Sequence, residues 1–325
     1  MNYPLNSSAA PNDRITRCAS DQIQLRAVPT TAAGALAHAY AACEALARSH
    51  YENFPVASIL LPKAMRPHIA AVYAFARRAD DIADEGNAAP ADRRAALEMW
   101  LRQLHHAVES SAIEGSTHDE LMLAATANSI RTLGLPLQLF DDLVSAFAQD
   151  TETTRYDSWA EVLDYCRRSA NPVGRLVLRI GGYRDDGLER SSDALCTALQ
   201  LTNFWQDFGH DWQLGRVYVP RDVQRAEGAH EAQLAQGVVT DGWARAIERC
   251  VAFTRQRYVE GRAVCDGVGG RLRAELRLTW LGGSRILDRV ERGRFALMQR
   301  RPTLGVVDLP MLLLRAATWT RPAGS

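Results

Sequence analysis

Apolar residues recur at intervals of three and four from Ala33 almost to the C-terminus of the chain. This spacing is typical of amphipathic α-helices, and the alternation of apolar and polar residues that indicates a β-strand is nearly absent. Hydrophobic residues make up 47% of the 325 positions and charged residues 23%, an ordinary globular composition with enough apolar side chains for a large core. The periodicity therefore predicts an all-α protein built as one helical bundle.

Residues 1–32 are rich in Ser, Pro, Asn and Thr and have no sustained period. We predict a flexible tail over 1–32, a single α-helical domain over 33–319 and a short tail over 320–325. The expected helices span about 33–49, 65–84, 90–110, 118–134, 136–149, 158–181, 190–211, 240–267, 271–299 and 308–318, with a loop before residue 240. Thr117 with Glu120, and Ser158 with Glu161, have the spacing of capping boxes.

The charge balance argues against nucleic acid as a partner. The chain has 38 basic and 38 acidic residues and therefore no formal net charge, whereas a polyanion binder normally carries excess positive charge. Its N-terminus, MNYPLNSSAAPNDR, is polar and lacks the apolar stretch of a secretory signal. We therefore expect a cytoplasmic protein.

Two aspartates near the end of the expected helix 65–84 form the first informative pattern. Asp80 and Asp84 are four residues apart, so they share one helix face about 6 Å apart along the axis. Like charges at this spacing repel unless a cation joins them, and carboxylate oxygens suit Mg²⁺. The alternative is a solvated acidic helix end, and spacing alone does not decide between the two.

A second polar series follows the expected helix 190–211. Asn203, Asp207 and Asp211 step by four among hydrophobic neighbours that include Phe204 and Trp205. Buried carboxylates cost several kcal/mol unless they are paired or bind a metal, so either a metal site or a satisfied structural network is expected. Two such series facing each other across a bundle would hold a diphosphate through divalent metals and arginines, beside an apolar pocket. That combination suits the ionisation of a prenyl diphosphate.

At these residues the chain resembles the squalene/phytoene synthase family over about 33–305. DDIAD at 80–84 resembles the first aspartate motif of the family, and Asn203-x-x-x-Asp207-x-x-x-Asp211 followed by GRVYVP at 215–220 resembles the second. Tyr73 and Arg77 match a tyrosine and an arginine of the family's pocket, and Tyr165-Cys166 resembles its YC segment. The resemblance implies an isoprenoid-synthase fold with a central apolar cavity.

The resemblance also implies roles for individual residues. Catalytic roles fall to Asp80, Asp84, Tyr73, Tyr165, Asn203 and Asp207. Substrate binding falls to His50, Tyr51, Phe54, Arg77, Asn171, Arg216 and Tyr218, although His50 is also readable as a core histidine. The expected metal is Mg²⁺, with Mn²⁺ as the alternative, held by Asp80, Asp84, Asn203, Asp207 and Asp211. No NADPH is expected.

Two departures from the family pattern select a branch. The stretch HYENFP at 50–55 has Glu52 where condensing members place a lysine that holds a substrate diphosphate, and an acid there disfavours a second diphosphate. YCRRSANPVG at 165–174 replaces the condensing pattern YCxxVAGxVG. Both variants resemble the hydroxysqualene synthases of bacterial hopanoid pathways, which convert presqualene diphosphate into hydroxysqualene.

Two other functions stay open. One is a transferase that condenses two farnesyl or geranylgeranyl diphosphates, and the other is a non-catalytic family member that acts as an assembly partner. The expected partners are a prenyl diphosphate, sequential enzymes of the same pathway and, transiently, the inner face of the membrane. The C-terminal helix is the expected membrane contact, with core packing as the alternative, through Met311, Leu312, Leu313, Leu314 and Trp319.

Overall fold

The computed structural model describes residues 32–49, 60–110 and 117–319. Within these residues the chain forms fifteen α-helices: α1 Ala32–Ser49, α2 Arg66–Asp84, α3 Pro90–Ser110, α4 His118–Leu133, α5 Gln138–Asp150, α6 Trp159–Ser169, α7 Asn171–Ile180, α8 Asp186–Gln206, α9 Phe208–Gln213, α10 Arg221–Glu227, α11 Glu231–Leu234, α12 Asp241–Gly261, α13 Val264–Gly267, α14 Gly270–Arg292 and α15 Leu309–Thr318. Two short 3₁₀ helices span Arg294–Ala296 and Val306–Asp308. The predicted all-α fold is confirmed.

The start of α4 shows how local sequence chemistry defines a helix end. The Thr117 hydroxyl accepts a hydrogen bond from the Glu120 N–H at 3.3 Å, and the Glu120 carboxylate accepts one from the Thr117 N–H at 3.0 Å. Gly134 ends the helix with the left-handed φ of 60° that glycine tolerates. The predicted capping box is confirmed here. At Ser158 it is wrong, because the Glu161 carboxylate instead accepts from the N–H of Asp157 at 2.7 Å and Ser158 makes no side-chain cap.

Two predicted helices are interrupted in the structure. The helix expected over 158–181 divides at Ala170 into α6 and α7, because Pro172 has no N–H to donate and its ring crowds the preceding turn. The helix expected over 190–211 divides at Asp207, whose backbone angles of φ −94° and ψ 9° lie outside the helical region. The amide of Asp207 still donates to Asn203 and that of Asp211 to Asp207, so α9 continues the course of α8 after a bend.

Further boundaries also differ from the prediction. The segment expected to be a loop before residue 240 contains the short helices α10 and α11. The long helix expected over 240–267 ends at Gly261 and resumes as α13, and the helix expected over 271–299 ends at Arg292. The spacing of apolar residues does not indicate such breaks, because the buried face continues across them.

Helix α8 lies at the centre of the C-terminal half and packs against α7, α12 and α14. The Trp205 indole donates a hydrogen bond to the Thr254 hydroxyl on α12 at 2.9 Å. The same two helices approach closely at Gly261, where a Cβ atom would lie 2.5 Å from the backbone nitrogen of Leu195. Glycine therefore permits a backbone contact that a larger residue would block.

Helix α2 occupies the corresponding position in the N-terminal half, between α1, α3, α4 and α5. The Phe75 ring stacks on Trp100 with centroids 5.5 Å apart and meets the edge of Phe140 at 5.4 Å. These contacts fix the inner face of α2, so the polar residues near its C-terminal end lie at the rim of the core. No helix in the described ranges combines the length and apolarity needed to cross a membrane.

Candidate active site

The first acidic segment lies at the C-terminal end of α2. Asp80 and Asp84 are 41% and 43% exposed, while the neighbouring Ala79 and Ala83 are buried. Arg77 donates to Asp80 at 3.2 Å and pairs with Asp81 at 2.6 Å, so its guanidinium offsets part of the negative charge of this segment. Partial desolvation raises the pKa of Asp80, and the negative charge of Asp84 raises it further. Both aspartates are therefore accessible to a ligand from one side.

The second acidic segment spans the bend between α8 and α9. The Asn203 amide donates to Asp207 Oδ2 at 2.7 Å, and Asp207 also forms an ion pair with Arg301. Burial raises the pKa of Asp211 to about 7, and the charge of Asp207 adds to the effect. Added positive charge would therefore stabilise the ionised carboxylates of this segment.

Arg216 joins the two acidic segments. Its guanidinium donates to Asp84 Oδ1 at 2.6 Å, and its backbone N–H donates to the Asp211 carbonyl at 2.7 Å. The extended segment around Val217 fixes this position, because the Val217 N–H donates to the Thr154 carbonyl at 3.0 Å while its side chain is buried. The structure therefore brings Asp84, Asp211 and Arg216 into one site.

Four buried aromatic residues, which we call the aromatic wall, lie beside this site: Tyr156, Tyr165, Phe204 and Tyr218. Because residues two apart in an extended segment share a face, Arg216 and Tyr218 point to the same side. The Tyr218 ring stacks on Phe204 at 3.7 Å and on Tyr156 at 5.9 Å between centroids. Tyr156 in turn meets the edge of Tyr165 at 5.9 Å. The site thus has a charged side and an aromatic side.

Tyr165 carries a buried hydrogen bond to an acid. Its hydroxyl donates to Asp150 Oδ2 at 2.8 Å, whereas Asp150 Oδ1 is buried and has no hydrogen-bond partner among the described residues. Burial raises the pKa of Asp150 to about 7, although the bond from Tyr165 lowers it. Burial also raises the pKa of Tyr165 well above its usual value, with the charge of Asp150 as the next cause. The pair can therefore hold or accept a proton.

The other predicted residues take separate places. Tyr73 is half-buried one turn before Arg77 on α2, and partial burial raises its pKa. Asn171 is buried and accepts a hydrogen bond from the Thr197 hydroxyl at 3.0 Å, which ties α7 to α8. His50, Tyr51 and Phe54, like Glu52, lie outside the described residues.

The sequence did not indicate three residues of the site: Asp150, Tyr156 and Arg301. Asp150 ends α5 without a neighbouring acid at helical spacing, and Arg301 follows the last expected helix. Their partners are distant in the chain, since Arg301 is 94 positions from Asp207 and Asp150 is 15 from Tyr165. No local spacing indicates such pairs.

A cleft of about 490 Å³ opens beside Asp207. Its lining comes from the bend between α8 and α9 and from the segment 297–301, and includes His210, Gln213 and Arg301. The lining is mixed, because Leu297 and Met298 lie beside these polar side chains. The cleft makes the second acidic segment accessible from outside.

The donor atoms of the two segments are of the type that Mg²⁺ prefers, namely carboxylate and amide oxygens. In the part of the chain that the structure describes, no group of three or more His, Cys, Asp or Glu residues is arranged as a metal site. Arginines pair instead with three of the predicted ligands, Arg77 with Asp80, Arg216 with Asp84 and Arg301 with Asp207. The donor chemistry therefore fits a divalent cation, while the guanidinium groups supply positive charge at these positions.

Comparison with known proteins shows the family to which the chain belongs. Residues 47–308 match the family model described as squalene/phytoene synthase, and the chain belongs to that family. It is similar to the hydroxysqualene synthase of Zymomonas mobilis, with 38% identity over 207 residues, 63% of this chain and 66% of that protein. The hydroxysqualene synthase of Sinorhizobium fredii is 41% identical over 184 residues, 56% of this chain and 60% of that protein. These matches thus span less than two thirds of the curated relatives' own length.

A solved structure gives fuller coverage. The chain resembles the crystal structure of squalene synthase HpnC from Alicyclobacillus acidocaldarius with a TM-score of 0.73 and 41% identity. That match covers 79% of this chain and 94% of the other. Members of this family are enzymes that act on prenyl diphosphates, and the fold of this chain is theirs.

Proposed function

We propose that this chain is a hydroxysqualene synthase that converts presqualene diphosphate and water into hydroxysqualene and diphosphate. The observation that carries the proposal is the contact of Arg216 with both acidic segments, beside the aromatic wall. A diphosphate binds where positive charge and metal-binding oxygens converge, and a carbocation is stabilised by aromatic faces in a site that excludes water. The relatives from Zymomonas mobilis and Sinorhizobium fredii are named hydroxysqualene synthases, which supports the same branch.

Mg²⁺ is the proposed cofactor. Its ligands would come from Asp80, Asp84, Asn203, Asp207 and Asp211. When bound, the metal supplies positive charge that stabilises a departing diphosphate. Arg216 and Arg301 already neutralise Asp84 and Asp207, so a diphosphate arriving with its cations can take over these guanidinium groups as bidentate donors.

The reaction divides between the charged and the aromatic side of the site. The carbon–oxygen bond breaks, and the diphosphate leaves with the electron pair towards the arginines. The aromatic wall faces the resulting carbocation, and its buried rings limit the access of water while the carbon skeleton rearranges.

One water molecule then adds to the cation and loses a proton. The Tyr165–Asp150 pair is the proposed acceptor, since Asp150 Oδ1 is unpartnered among the described residues. Because water and not hydride captures the cation, no NADPH is required.

The direct test is product analysis by mass spectrometry. We expect the purified protein with presqualene diphosphate and Mg²⁺ to form hydroxysqualene, and the reaction to stop when the metal is chelated. Farnesyl diphosphate alone should give no presqualene diphosphate and no phytoene-type product. Condensation of farnesyl or geranylgeranyl diphosphate would instead assign the chain to the transferase branch. Binding of diphosphate without turnover of any of these substrates would favour a non-catalytic partner.

A further inference from the structure

An apolar surface lies between the second 3₁₀ helix and the outer face of α15. We call it the C-terminal patch; its exposed members are Leu304, Val306, Val307, Leu309, Leu313 and Leu314. Val306 and Val307 are 88% and 87% exposed, the highest values of any large hydrophobic side chain among the described residues. A contiguous apolar surface of this kind marks a contact with another molecule or with a membrane.

The loop that carries the two valines is held in place by a buried acid. Asp308 is 4% exposed and accepts two hydrogen bonds from Arg289 at 2.7 and 2.9 Å. It also accepts the backbone N–H of Gly305 at 2.7 Å, and Arg285 lies within 3.5 Å of it. The loop is therefore anchored on both sides of the valines, so their exposure is a property of the fold.

Helix α15 carries apolar side chains outside its buried face as well as on it. Leu312 and Ala316 are buried against Leu278 and Leu281 of α14, whereas Leu313 and Leu314 are 48% and 66% exposed. Trp319 lies half-buried with its ring edge-on to Trp280, so the predicted membrane-contacting role of Leu312 and Trp319 conflicts with their packing. A helix that buries one apolar face and keeps another needs a second apolar environment.

The sequence that carries the C-terminal patch has an excess of positive charge. Between residues 292 and 319 the chain has one acid, Asp308, which is buried and paired with Arg289. The same stretch carries the exposed residues Arg292, Arg300 and Arg315, and also Arg301, which pairs with Asp207. Two copies of such a surface repel each other, whereas an anionic lipid headgroup is attracted by it. The charge pattern thus favours a lipid surface over a second copy of this chain.

The patch is continuous with the candidate active site. The Gln206 amide donates to the Pro302 carbonyl at 2.6 Å, and Arg301 pairs with Asp207, so the segment leading to Leu304 is fixed at the second acidic segment. A lipid surface on the patch would lie beside the site. The proximity of the patch to the site would suit a substrate with long prenyl chains, because such a substrate partitions into lipid. This argument for proximity rests on the proposed function.

We propose that the C-terminal patch docks onto an anionic lipid bilayer, with Val306 and Val307 entering the interface and the flanking arginines contacting headgroups. Such binding is peripheral and reversible, because it combines a small apolar area with electrostatic attraction. It requires neither substrate nor metal.

The test is vesicle co-sedimentation without substrate, so that its outcome is independent of the proposed reaction. The probes are vesicles of phosphatidylcholine alone and of phosphatidylcholine with about one third phosphatidylglycerol. We expect the full chain to pellet with the anionic vesicles, and less so as salt rises. The double variant Val306→Ser/Val307→Ser should lower the apparent partition coefficient at least about tenfold, since two apolar side chains no longer enter the interface.

Matched controls separate the patch from general surface effects. Val259→Ser on α12, where the valine is 62% exposed, and Arg225→Gln on α10 should bind vesicles as the wild type does. Val307→Asp should bind even less than the serine variant, because it adds a charge that anionic lipid repels. The proposal is overturned if the wild type stays in the supernatant with both vesicles, or if the valine variants pellet as the wild type does. It is also overturned if analytical ultracentrifugation shows a dimer that Val307→Asp dissociates, because the patch then binds a second copy.

Discussion

Asp84 is the residue at which the two acidic segments meet, because it is the first-segment partner of Arg216. Asp84→Asn removes a proposed metal ligand and weakens this ion pair. We expect turnover of presqualene diphosphate to fall by about a hundredfold or more. The free energy of unfolding should change by less than about 1 kcal/mol, because the pair is partly exposed. Steady-state kinetics and urea denaturation measure the two effects.

Asp119→Asn is the matched control for this variant. Asp119 on α4 pairs with Arg78 of α2 at 3.0 Å and is 41% exposed, which closely matches Asp84 in exposure and in partner. It lies outside the candidate site, so we expect a similar small change in stability and near wild-type turnover. Equal losses of turnover in the two variants would show that the role of Asp84 is structural only.

The Tyr165–Asp150 pair predicts a specific pH dependence. The hydroxyl of Tyr165 stabilises the ionised form of Asp150, so Tyr165→Phe should raise the pKa of that carboxyl above its value of about 7. If Asp150 must be ionised to accept a proton, the ascending limb of the kcat/KM profile moves to higher pH in this variant. In Asp150→Asn the limb attributable to this group should disappear. An unchanged profile in both variants would exclude the pair from proton transfer.

At the scale of elements, the sequence predicts the helices whose apolar residues are periodic and the helix ends that have capping residues. The existence of α1 to α5 follows from apolar spacing, and the Thr117–Glu120 box and Gly134 bound α4. The break before α7 was not predicted, although Pro172 has no N–H with which to continue the preceding helix. The bend at Asp207 has no comparable signal, because the hydrogen bonds of α8 continue through it.

The contact of α8 with α12 gives a prediction about packing. In Gly261→Ala the new methyl group meets the backbone of Leu195, which cannot move without displacing α8. We expect a loss of about 1–3 kcal/mol in the free energy of unfolding. Gly282→Ala is the control within α14, because its nearest neighbour is a Leu304 methyl group at 3.5 Å and alanine favours a helix. Unfolding in urea should show Gly282→Ala as stable as the wild type or more so; equal destabilisation of both would argue against the close contact.

Helix α14 carries a buried acid that forms no ion pair with any residue that the structure describes. Glu275 is 6% exposed, its Oε2 has no hydrogen-bond partner within the described ranges, and burial raises its pKa to about 7. Below about pH 4.5 the carboxyl is protonated in both the folded and the unfolded chain. As pH rises towards 7 the unfolded chain ionises first, so the folded state loses stability.

Glu275→Gln removes this effect. Between about pH 4.5 and 7.5 we expect the wild type to lose about 1–3 kcal/mol more unfolding free energy than the variant. Denaturation midpoints across this range measure the difference. Glu98→Gln, at an exposed position on α3, should follow the wild type. Parallel curves for the wild type and Glu275→Gln would mean that the buried carboxyl does not titrate in this range.

At the scale of the whole molecule, the site joins parts of the chain that local patterns cannot connect. The two acidic segments were visible in the sequence, because each has its own four-residue spacing. Their link through Arg216 was not visible in the sequence, because Arg216 and Asp84 are 132 positions apart. The aromatic wall likewise combines α6, α8 and two loops, and its assembly depends on the packing of α8 against its neighbours. Family resemblance supplied Tyr165 and Tyr218 for it, whereas Tyr156 and Asp150 required the fold.

The charged and aromatic sides together lead to one chemical claim: a single prenyl diphosphate is ionised, and water captures the cation. The most direct measurement is the reaction of presqualene diphosphate with Mg²⁺ in ¹⁸O-labelled water, followed by mass spectrometry of the product. We expect hydroxysqualene that carries one ¹⁸O atom, and no such product from farnesyl diphosphate alone. An unlabelled alcohol, a hydrocarbon product or efficient condensation of farnesyl diphosphate would contradict this claim.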